Sequence, residues 1–284
     1  MKQDQAWRLR ELAPAFEFFP RPDGDAHPRR IAITSGKGGV GKTTIALNLA
    51  ILATKIGEKT LLIDGDVNLA NIPILSDSSP SYTYVDVLRG HKTLAEIIYE
   101  YAPDLHILAT GSGILELMDK ASDFSDKLRY QFRQLDGIYQ RIVIDTASGI
   151  SSAVFSQLVQ TDEILLVTIP EPSAIADAYA IVKIMTYFYP KHPISLIVNM
   201  ANSEAEAKET FEKFNLITQK FLQRSLKLAG FLLFDEKVRQ STKTQTPYVL
   251  SNSNSPFGKN LQQIADKIFT ASSTASDLWE ERIN

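Results

Sequence analysis

One segment of the chain has the residue types and the spacing to bind a polyphosphate. From Ser35 to Thr44 it runs SGKGGVGKTT, which contains the pattern G-x-x-x-x-G-K-T. The apolar run RIAIT precedes it and a segment of helical period follows, which is the context that a phosphate-binding loop requires. Glycines let backbone N–H groups converge on an anion at the positive end of the next helix. We therefore expect Lys42 to reach the β- and γ-phosphates of a nucleotide and the Thr43 hydroxyl to bind Mg²⁺.

Three aspartates follow apolar runs at positions suited to a metal ion and an attacking water. Asp64 ends the run TLLID, Asp66 lies two positions later, and Asp145 ends the run RIVID in the form of a Walker B aspartate. Carboxylates at the carboxyl ends of parallel strands lie beside the ligand site of an α/β sheet. Each aspartate, taken singly, is equally explained as a turn or helix-cap residue. Their order and spacing relative to the loop favour the functional interpretation.

The elements that must position these residues alternate along the chain from Ile31 onward. Several strand candidates are almost wholly apolar, as expected when helices cover both faces of a parallel sheet. The pattern predicts a single doubly wound α/β domain with a mostly parallel sheet, without giving the strand order. The predicted strands are 30–34, 60–64, 105–109, 141–145, 163–169, 194–199 and 229–234. The predicted helices are 43–57, 95–101, 125–135, 151–159, 173–187, 204–220 and 258–269.

The overall composition is that of a globular protein of the cytoplasm. The 284 residues are 44% hydrophobic and 22% charged, and the net charge of −3 gives no overall attraction to nucleic acid or anionic lipid. There is no cysteine, which excludes a disulfide framework, a thiol nucleophile and a cysteine-ligated metal or iron–sulfur centre. No apolar run approaches 18 residues, and the charged N-terminus is not a secretory signal.

The chain is predicted to have four parts, and composition separates the first two from the rest. Residues 1–19 form a helix-capable arm, and residues 20–30, with three prolines and one glycine among charges, form a flexible linker. Residues 31–270 form the nucleotide-binding domain, and residues 271–284 form a C-terminal tail. The linker favours an arm that moves independently of the domain.

The phosphate loop resembles one particular class. With Lys37 directly after its first glycine, the run KGGVGKTT is similar to the deviant Walker A loop of the MinD/ParA family of P-loop ATPases. In that family a second lysine crosses the interface of an ATP-sandwiched dimer to the partner's nucleotide. The resemblance implies an ATPase that uses ATP and Mg²⁺ and forms a homodimer in the ATP state. It also implies that Lys37 contacts the nucleotide bound by the other subunit. The alternative for Lys37 is a solvated loop charge.

The resemblance implies roles for residues elsewhere in the chain as well. Asp64 lies near the metal, Asp66 orients the hydrolytic water, and Asn199 and Asp235 lie near the adenine or ribose; as an alternative, the last two cap loops. The implied catalytic residues are Lys37, Lys42 and Asp66, and the implied metal residues are Thr43, Asp64 and Asp145. The implied nucleotide-binding residues are Gly36, Lys37, Gly38, Gly39, Val40, Gly41, Lys42, Thr43, Thr44, Asn199 and Asp235.

Two further segments are similar to the flagellum site-determining branch of this family, the FlhG/FleN/YlxH type. Residues 171–179, EPSAIADAY, resemble the E-P-x-x-x-x-D-A-Y segment of that branch. Residues 4–10, DQAWRLR, resemble its N-terminal D-Q-A-x-x-L-R element, which activates the flagellar signal-recognition-type GTPase FlhF. The resemblance implies that the arm stimulates this GTPase, chiefly through Gln5. The alternative is an arm that packs on its own domain. The implied partner-activating residues are Asp4, Gln5, Ala6, Leu9 and Arg10.

Together these expectations describe a cytoplasmic ATP-dependent switch that regulates flagellar placement or number. Flagellar C-ring and transcription components are further candidate partners, and the sites of action are the cytoplasm, the inner face of the cell membrane and the flagellar base. The acidic tail disfavours contact with anionic lipid, although Leu278, Trp279 and Ile283 could insert weakly. The stripe formed by Leu261, Ile264, Ala265 and Ile268 is expected to cover the sheet.

Two other functions fit the same loop. A ParA-like DNA-partitioning ATPase would need a basic surface, and a run of cations between residues 208 and 227 is the candidate, although such a run is more often a solvated helix face. An adaptor without working hydrolysis is the second alternative. A reductase or cluster scaffold of this fold would need cysteine ligands, which the chain lacks. The cations concerned are Lys208, Lys213, Lys220, Arg224 and Lys227.

Overall fold

The computed structural model describes residues 28–66, 72, 80–109 and 137–270. The predicted arm (1–19), most of the predicted linker, the predicted helix over 125–135 and the tail (271–284) lie outside the described residues. The first described strand begins at Arg29, so its first two residues belong to the predicted linker.

The described strands form one eight-stranded sheet in the order β3-β4-β2-β5-β1-β6-β7-β8. Neighbouring strands are parallel except β3 and β4, which are antiparallel. This confirms the predicted doubly wound, mostly parallel α/β fold and supplies the strand order. The strands are β1 Arg29–Ser35, β2 Thr60–Gly65, β3 Tyr99–Ala102, β4 Leu105–Ala109, β5 Arg141–Ser148, β6 Glu163–Thr168, β7 Ile194–Ala201 and β8 Lys227–Leu233.

Helices cover both faces of the sheet, which is why its central strands are apolar on both sides. Helices α1 and α9 pack on one face, and helices α2 to α6 pack on the other. The helices are α1 Lys42–Lys55, α2 Tyr84–Leu88, α3 Leu94–Ile97, α4 Ser152–Val159, α5 Pro172–Phe188, α6 Glu204–Leu222, α7 Glu236–Lys243, α8 Tyr248–Ser251 and α9 Pro256–Thr270. The predicted α9 stripe of Leu261, Ile264, Ala265 and Ile268 is confirmed as core.

The helix predicted over 95–101 is wrong beyond Ile97. The backbone of Ile98 is extended, and β3 follows as an edge strand antiparallel to β4. Its sequence, Tyr-Glu-Tyr-Ala, places aromatic side chains at alternate positions, which suits a strand better than a helix. Asp104, in the left-handed region with φ 63°, makes the tight turn that pairs the two strands.

The order of the strands places the phosphate loop at the centre of the sheet. The chain leaves β1 for β2 on one side of β1, and it later enters β6 on the other side. In open α/β sheets, ligands bind in the crevice at the carboxyl ends of the strands where the strand order reverses in this way. The loop at residues 36–41, directly after β1, lies at that point.

None of the helices within the described ranges combines the length and the apolar character needed to cross a membrane.

Candidate nucleotide-binding site

The backbone of the loop after β1 depends on glycine at three positions. Gly39 (φ 79°) and Gly41 (φ 89°) are in the left-handed region, and α1 begins directly after Gly41. At Gly36, a Cβ atom would lie 2.2 Å from the backbone carbonyl carbon of Asp177 in α5, so only glycine allows that approach. The first N–H groups of α1 lack partners within the helix and face the loop. The loop therefore presents donors and a positive helix end to an anion.

Asn199 attaches this loop to β7. Its buried side-chain amide donates a 2.8 Å hydrogen bond to the carbonyl of Val40. A Cβ atom on Gly41 would lie 2.5 Å from the same amide nitrogen, so loop and amide are in close contact. Asn199 thus fixes the loop conformation, and it also lines the cleft described below.

The carboxyl group of Asp145, within β5, is wholly buried. Among the described residues, neither of its oxygens has a hydrogen bond of normal geometry. Its pKa is raised to about 7: burial is the largest cause and nearby Asp66 adds to the rise, whereas the Thr43 hydroxyl and the Lys42 ammonium oppose it. The two carboxyl oxygens of Asp145 and the neighbouring Thr43 hydroxyl are oxygen ligands of the kind that a divalent cation binds.

Asp64 supplies a second buried carboxyl group next to the first. It is the register partner of Asp145 across β2 and β5, and it accepts hydrogen bonds from the backbone N–H groups of Ile72 (3.1 Å) and Asp66 (3.3 Å). Burial and then the charge of Asp145 raise its pKa to about 7, and the two backbone donors oppose this. Because carboxyl groups bind a metal ion in their deprotonated form, a cation bound between these two groups would lower both pKa values.

Magnesium fits this arrangement. Among the described residues there is no group of three or more His, Cys, Asp or Glu side chains that could hold a metal. Mg²⁺ usually takes only one or two carboxylates and fills its other positions with phosphate oxygens and water. The two buried carboxyl groups of Asp64 and Asp145, with the hydroxyl of Thr43, match that need.

A cleft of about 710 Å³ opens over the loop. Its size lies within the range of small-molecule and cofactor sites. The phosphate loop forms one wall, and the ends of β7 and β8 with α7 form the other. Asp66, the first residue after β2, is half-buried and faces the cleft. The lining residues are Gly38, Gly39, Gly41, Lys42, Thr43, Thr44, Ile45, Asp66, Ser148, Asn199, Met200, Leu233, Phe234, Asp235, Val238, Arg239, Thr242 and Phe257.

Asp235 lies in the cleft wall opposite the loop and also has a structural role. It caps α7 by accepting a 2.8 Å hydrogen bond from the backbone N–H of Lys237, and it accepts a second from the buried hydroxyl of Tyr248. The structure thus gives Asp235, like Asn199, both a position at the cleft and the capping role that the sequence left as an alternative.

Lys37 does not line the cleft of its own chain. Its ammonium makes an ion pair with Glu171 (2.7 Å) and a hydrogen bond to Ser173 (3.2 Å), at the start of α5. Sequence reasoning missed this contact, although it had singled out the EPSAIADAY segment. The contact could have been predicted from the position of Glu171, which follows β6 at the same edge of the sheet as the phosphate loop.

The candidate DNA-binding cations are largely engaged within the chain. Lys208 and Lys213 pair with Glu204 and Glu209 one helical turn earlier. Arg224 is partly buried and donates to the Thr186 hydroxyl and to the carbonyl of His192. These contacts leave less positive charge on this face than the sequence suggests.

Comparisons with known proteins agree with the geometry. Residues 31–248 match the family described as the CobQ/CobB/MinD/ParA nucleotide binding domain. The antiactivator FleN of Pseudomonas aeruginosa is 31% identical over 246 residues, covering 86% of this chain and 88% of that protein. The flagellum site-determining protein YlxH of Helicobacter pylori is 32% identical over 249 residues, covering 86% and 82%.

A solved structure shows the same architecture. The septum site-determining protein MinD of Pyrococcus horikoshii, complexed with Mg-ADP, superposes with a TM-score of 0.69 at 26% identity, covering 87% of this chain and 98% of that one. The sheet, the loop and the family match lead to one assignment. The chain belongs to the CobQ/CobB/MinD/ParA nucleotide-binding family, and it is an ATPase of the MinD/ParA type.

Proposed function

We propose that this ATPase is a dimerising switch that regulates the placement or number of flagella. The observation that carries the proposal is the second lysine, Lys37, in a phosphate loop beside two buried carboxyl groups, in a chain similar to FleN and YlxH along most of its length. In its ATP state two copies face each other across their nucleotides. Hydrolysis separates them, and partners respond to the difference.

Within one protomer, each residue of the site has a distinct part in hydrolysis. The backbone N–H groups of residues 38–43 and the Lys42 ammonium bind the phosphates and neutralise the charge that develops on them. Asp66 accepts a hydrogen bond from the attacking water and orients it toward the γ-phosphate. Thr43, Asp64 and Asp145 would hold Mg²⁺, which would neutralise negative charge on the bound phosphates. Asn199 and Asp235 contact the base or ribose.

Lys37 completes the site of the partner rather than its own. Lys37 is not among the residues that line its own cleft, and its ammonium pairs with Glu171 instead, which suits a group that acts on the nucleotide of the other subunit. The ATP-bound dimer then contains two active sites, each with one lysine from the other subunit. Turnover in the absence of partners is expected to be slow, because a switch depends on the lifetime of its ATP state.

The dimer can be tested directly. Lys37→Ala should abolish ATP-dependent dimerisation in sedimentation velocity, while ATP binding to the monomer persists. As the matched control, Lys208→Ala removes an exposed lysine whose ammonium lies 2.7 Å from a glutamate of its own chain. It should dimerise like the unaltered protein. ATP-dependent dimerisation of the Lys37→Ala variant would contradict the proposal.

The N-terminal arm gives the flagellar branch its own test. We propose that Asp4, Gln5, Ala6, Leu9 and Arg10 form the element that stimulates an FlhF-type GTPase. Full-length protein should raise the GTP hydrolysis rate of that GTPase, and its Gln5→Ala variant should not. Equal stimulation by both proteins would remove the role of Gln5 and leave the ATPase unaffected.

A further inference from the structure

Gln157 of α4 lies outside the phosphate loop and the metal residues, yet it contacts the backbone beside Asp66. Its side chain is wholly buried, and its amide nitrogen donates a 3.0 Å hydrogen bond to the carbonyl oxygen of Gly65. Gly65 is the last residue of β2 and directly precedes Asp66. The contact joins two segments that are 92 residues apart in the chain.

The carbonyl of Gly65 and the N–H of Asp66 belong to the same peptide unit, which is planar and rigid. Gln157 binds the carbonyl side of that unit, and the Asp64 carboxylate accepts a hydrogen bond from its N–H side at 3.3 Å. Two side chains from different elements therefore fix the plane from which the Asp66 side chain extends. Rotation of this plane would redirect the Asp66 carboxylate.

The space around Gly65 has no room for a larger residue. A Cβ atom there would lie 2.9 Å from the side-chain oxygen of Gln157 and 2.9 Å from the backbone oxygen of Asp145. The Gln157 side-chain oxygen is buried and has no hydrogen-bond partner among the described residues. Leaving a buried acceptor unpaired is unfavourable. The side-chain amide of Gln157 keeps this orientation because its nitrogen can donate to the Gly65 carbonyl oxygen, whereas its oxygen cannot.

We propose that Gln157 is a positioning residue for ATP hydrolysis: by binding the Gly65 carbonyl, it holds Asp66 in the direction that orients the attacking water. This inference rests on the water-orienting role proposed for Asp66. Gln157 itself does not line the cleft. It acts on the rate of the chemical step and leaves nucleotide binding unchanged.

The test measures kcat, the KM for ATP and the affinity for ADP in the full chain. Gln157→Met keeps the approximate volume and removes the donor, so kcat should fall about tenfold, while KM and ADP affinity stay within about twofold. Gln160→Met is the matched control, since the Gln160 amide donates to Ser156 in the same helix. It should leave kcat unchanged. Gln157→Asn, whose amide is one methylene too short, should reproduce the loss if the Met variant does not fold.

A double-mutant cycle separates positioning from general destabilisation. If Gln157 acts through Asp66, adding Gln157→Met to Asp66→Ala should slow hydrolysis no further. Additive losses, measured on the residual hydrolysis of Asp66→Ala, would overturn the inference and leave the proposed function intact. The same holds if Gln157→Met has the kcat of the unaltered protein while Asp66→Ala is much slower. An Asp66→Ala variant with normal kcat would overturn both.

Discussion

Asp64 and Asp145 are direct register partners on adjacent strands, so two buried carboxyl groups stand side by side at the carboxyl edge of β2 and β5. Both have a pKa raised to about 7, with burial as the largest cause. Without a cation, ionising the pair costs free energy, because neither water nor a basic side chain fully compensates buried charge. Ionisation of this pair therefore lowers the free energy of unfolding when no cation is bound.

Asp145→Asn should therefore stabilise the ligand-free protein at pH 8. Below about pH 4, Asp145 is protonated in both folded and unfolded chains and contributes no difference. Between pH 4 and 7 the folded state retains the proton and the unfolded state loses it, so the contribution of Asp145 to stability falls as pH rises. We expect a gain in the free energy of unfolding of about 2 to 4 kcal/mol at pH 8 and almost none at pH 4.

Urea unfolding in the presence of a chelator measures this difference. The unaltered protein and the variant are compared at each pH, so that titrations common to both cancel. A variant that is less stable at pH 8, or a difference that does not change with pH, would show that Asp145 is not under strain in the ligand-free site.

Gly41→Ala should impair nucleotide binding much more than stability alone explains. A Cβ atom at Gly41 would lie 2.5 Å from the Asn199 amide nitrogen, which must then move away from the Val40 carbonyl. The displaced amide and loop should weaken ATP affinity at least tenfold, as measured by calorimetric titration. Gly57→Ala is the control: its φ of 84° imposes a similar backbone cost of about 1 kcal/mol, and no atom lies within 4 Å of the added Cβ. Equal ATP affinities in the two variants would contradict the proposed role of the contact.

The sequence predicted those parts of the site whose determinants are local. The glycine spacing of the loop, the aspartates within β2 and β5 and the aspartate after β2 are visible because each depends on a few consecutive residues. The pairing of Asp64 with Asp145 depends on β2 and β5 being neighbours, and apolar strand patterns do not contain strand order.

Contacts between distant segments cannot be predicted from the sequence either, because they depend on the same strand order. The pair of Lys37 with Glu171 and the bond from Gln157 to Gly65 join segments that only the folded sheet brings together. The sequence predicts helix at the edge strand β3 because four residues beside a short helix have too little periodicity to distinguish the two.

Removing the charge of Glu58, the partner of Arg141, should lower the free energy of unfolding without changing ATP affinity. The guanidinium is almost fully buried, pairs with Glu58 through two nitrogens and lies 4.1 Å from the ring centre of Phe269 at the end of α9. Glu58→Gln should lower the free energy of unfolding by about 2 to 3 kcal/mol, because a buried charge loses its counterion. ATP affinity should stay unchanged, since Arg141 begins β5 and the nucleotide site lies at its other end. Loss of ATP affinity in proportion to stability would contradict this separation.

The Lys37–Glu171 pair predicts a variant that dimerises more strongly. If Lys37 serves the partner's nucleotide, the pair must break in each protomer as the dimer forms. Both side chains are about half-exposed, and such pairs contribute roughly 0.2–1 kcal/mol each. Glu171→Gln should therefore tighten the ATP-dependent dimer by about fivefold, as measured by sedimentation equilibrium in an Asp66→Ala background that preserves ATP.

The matched control is Glu204→Gln, which removes the partner of an exposed lysine, Lys208, with the same 2.7 Å separation. It lies on α6, away from the phosphate loop, and should leave the dimer unchanged. Tightening by both variants would indicate a general effect of net charge. A weaker dimer with Glu171→Gln alone would mean that Glu171 contributes to the interface itself, because loss of the carboxylate then removes a contact between subunits.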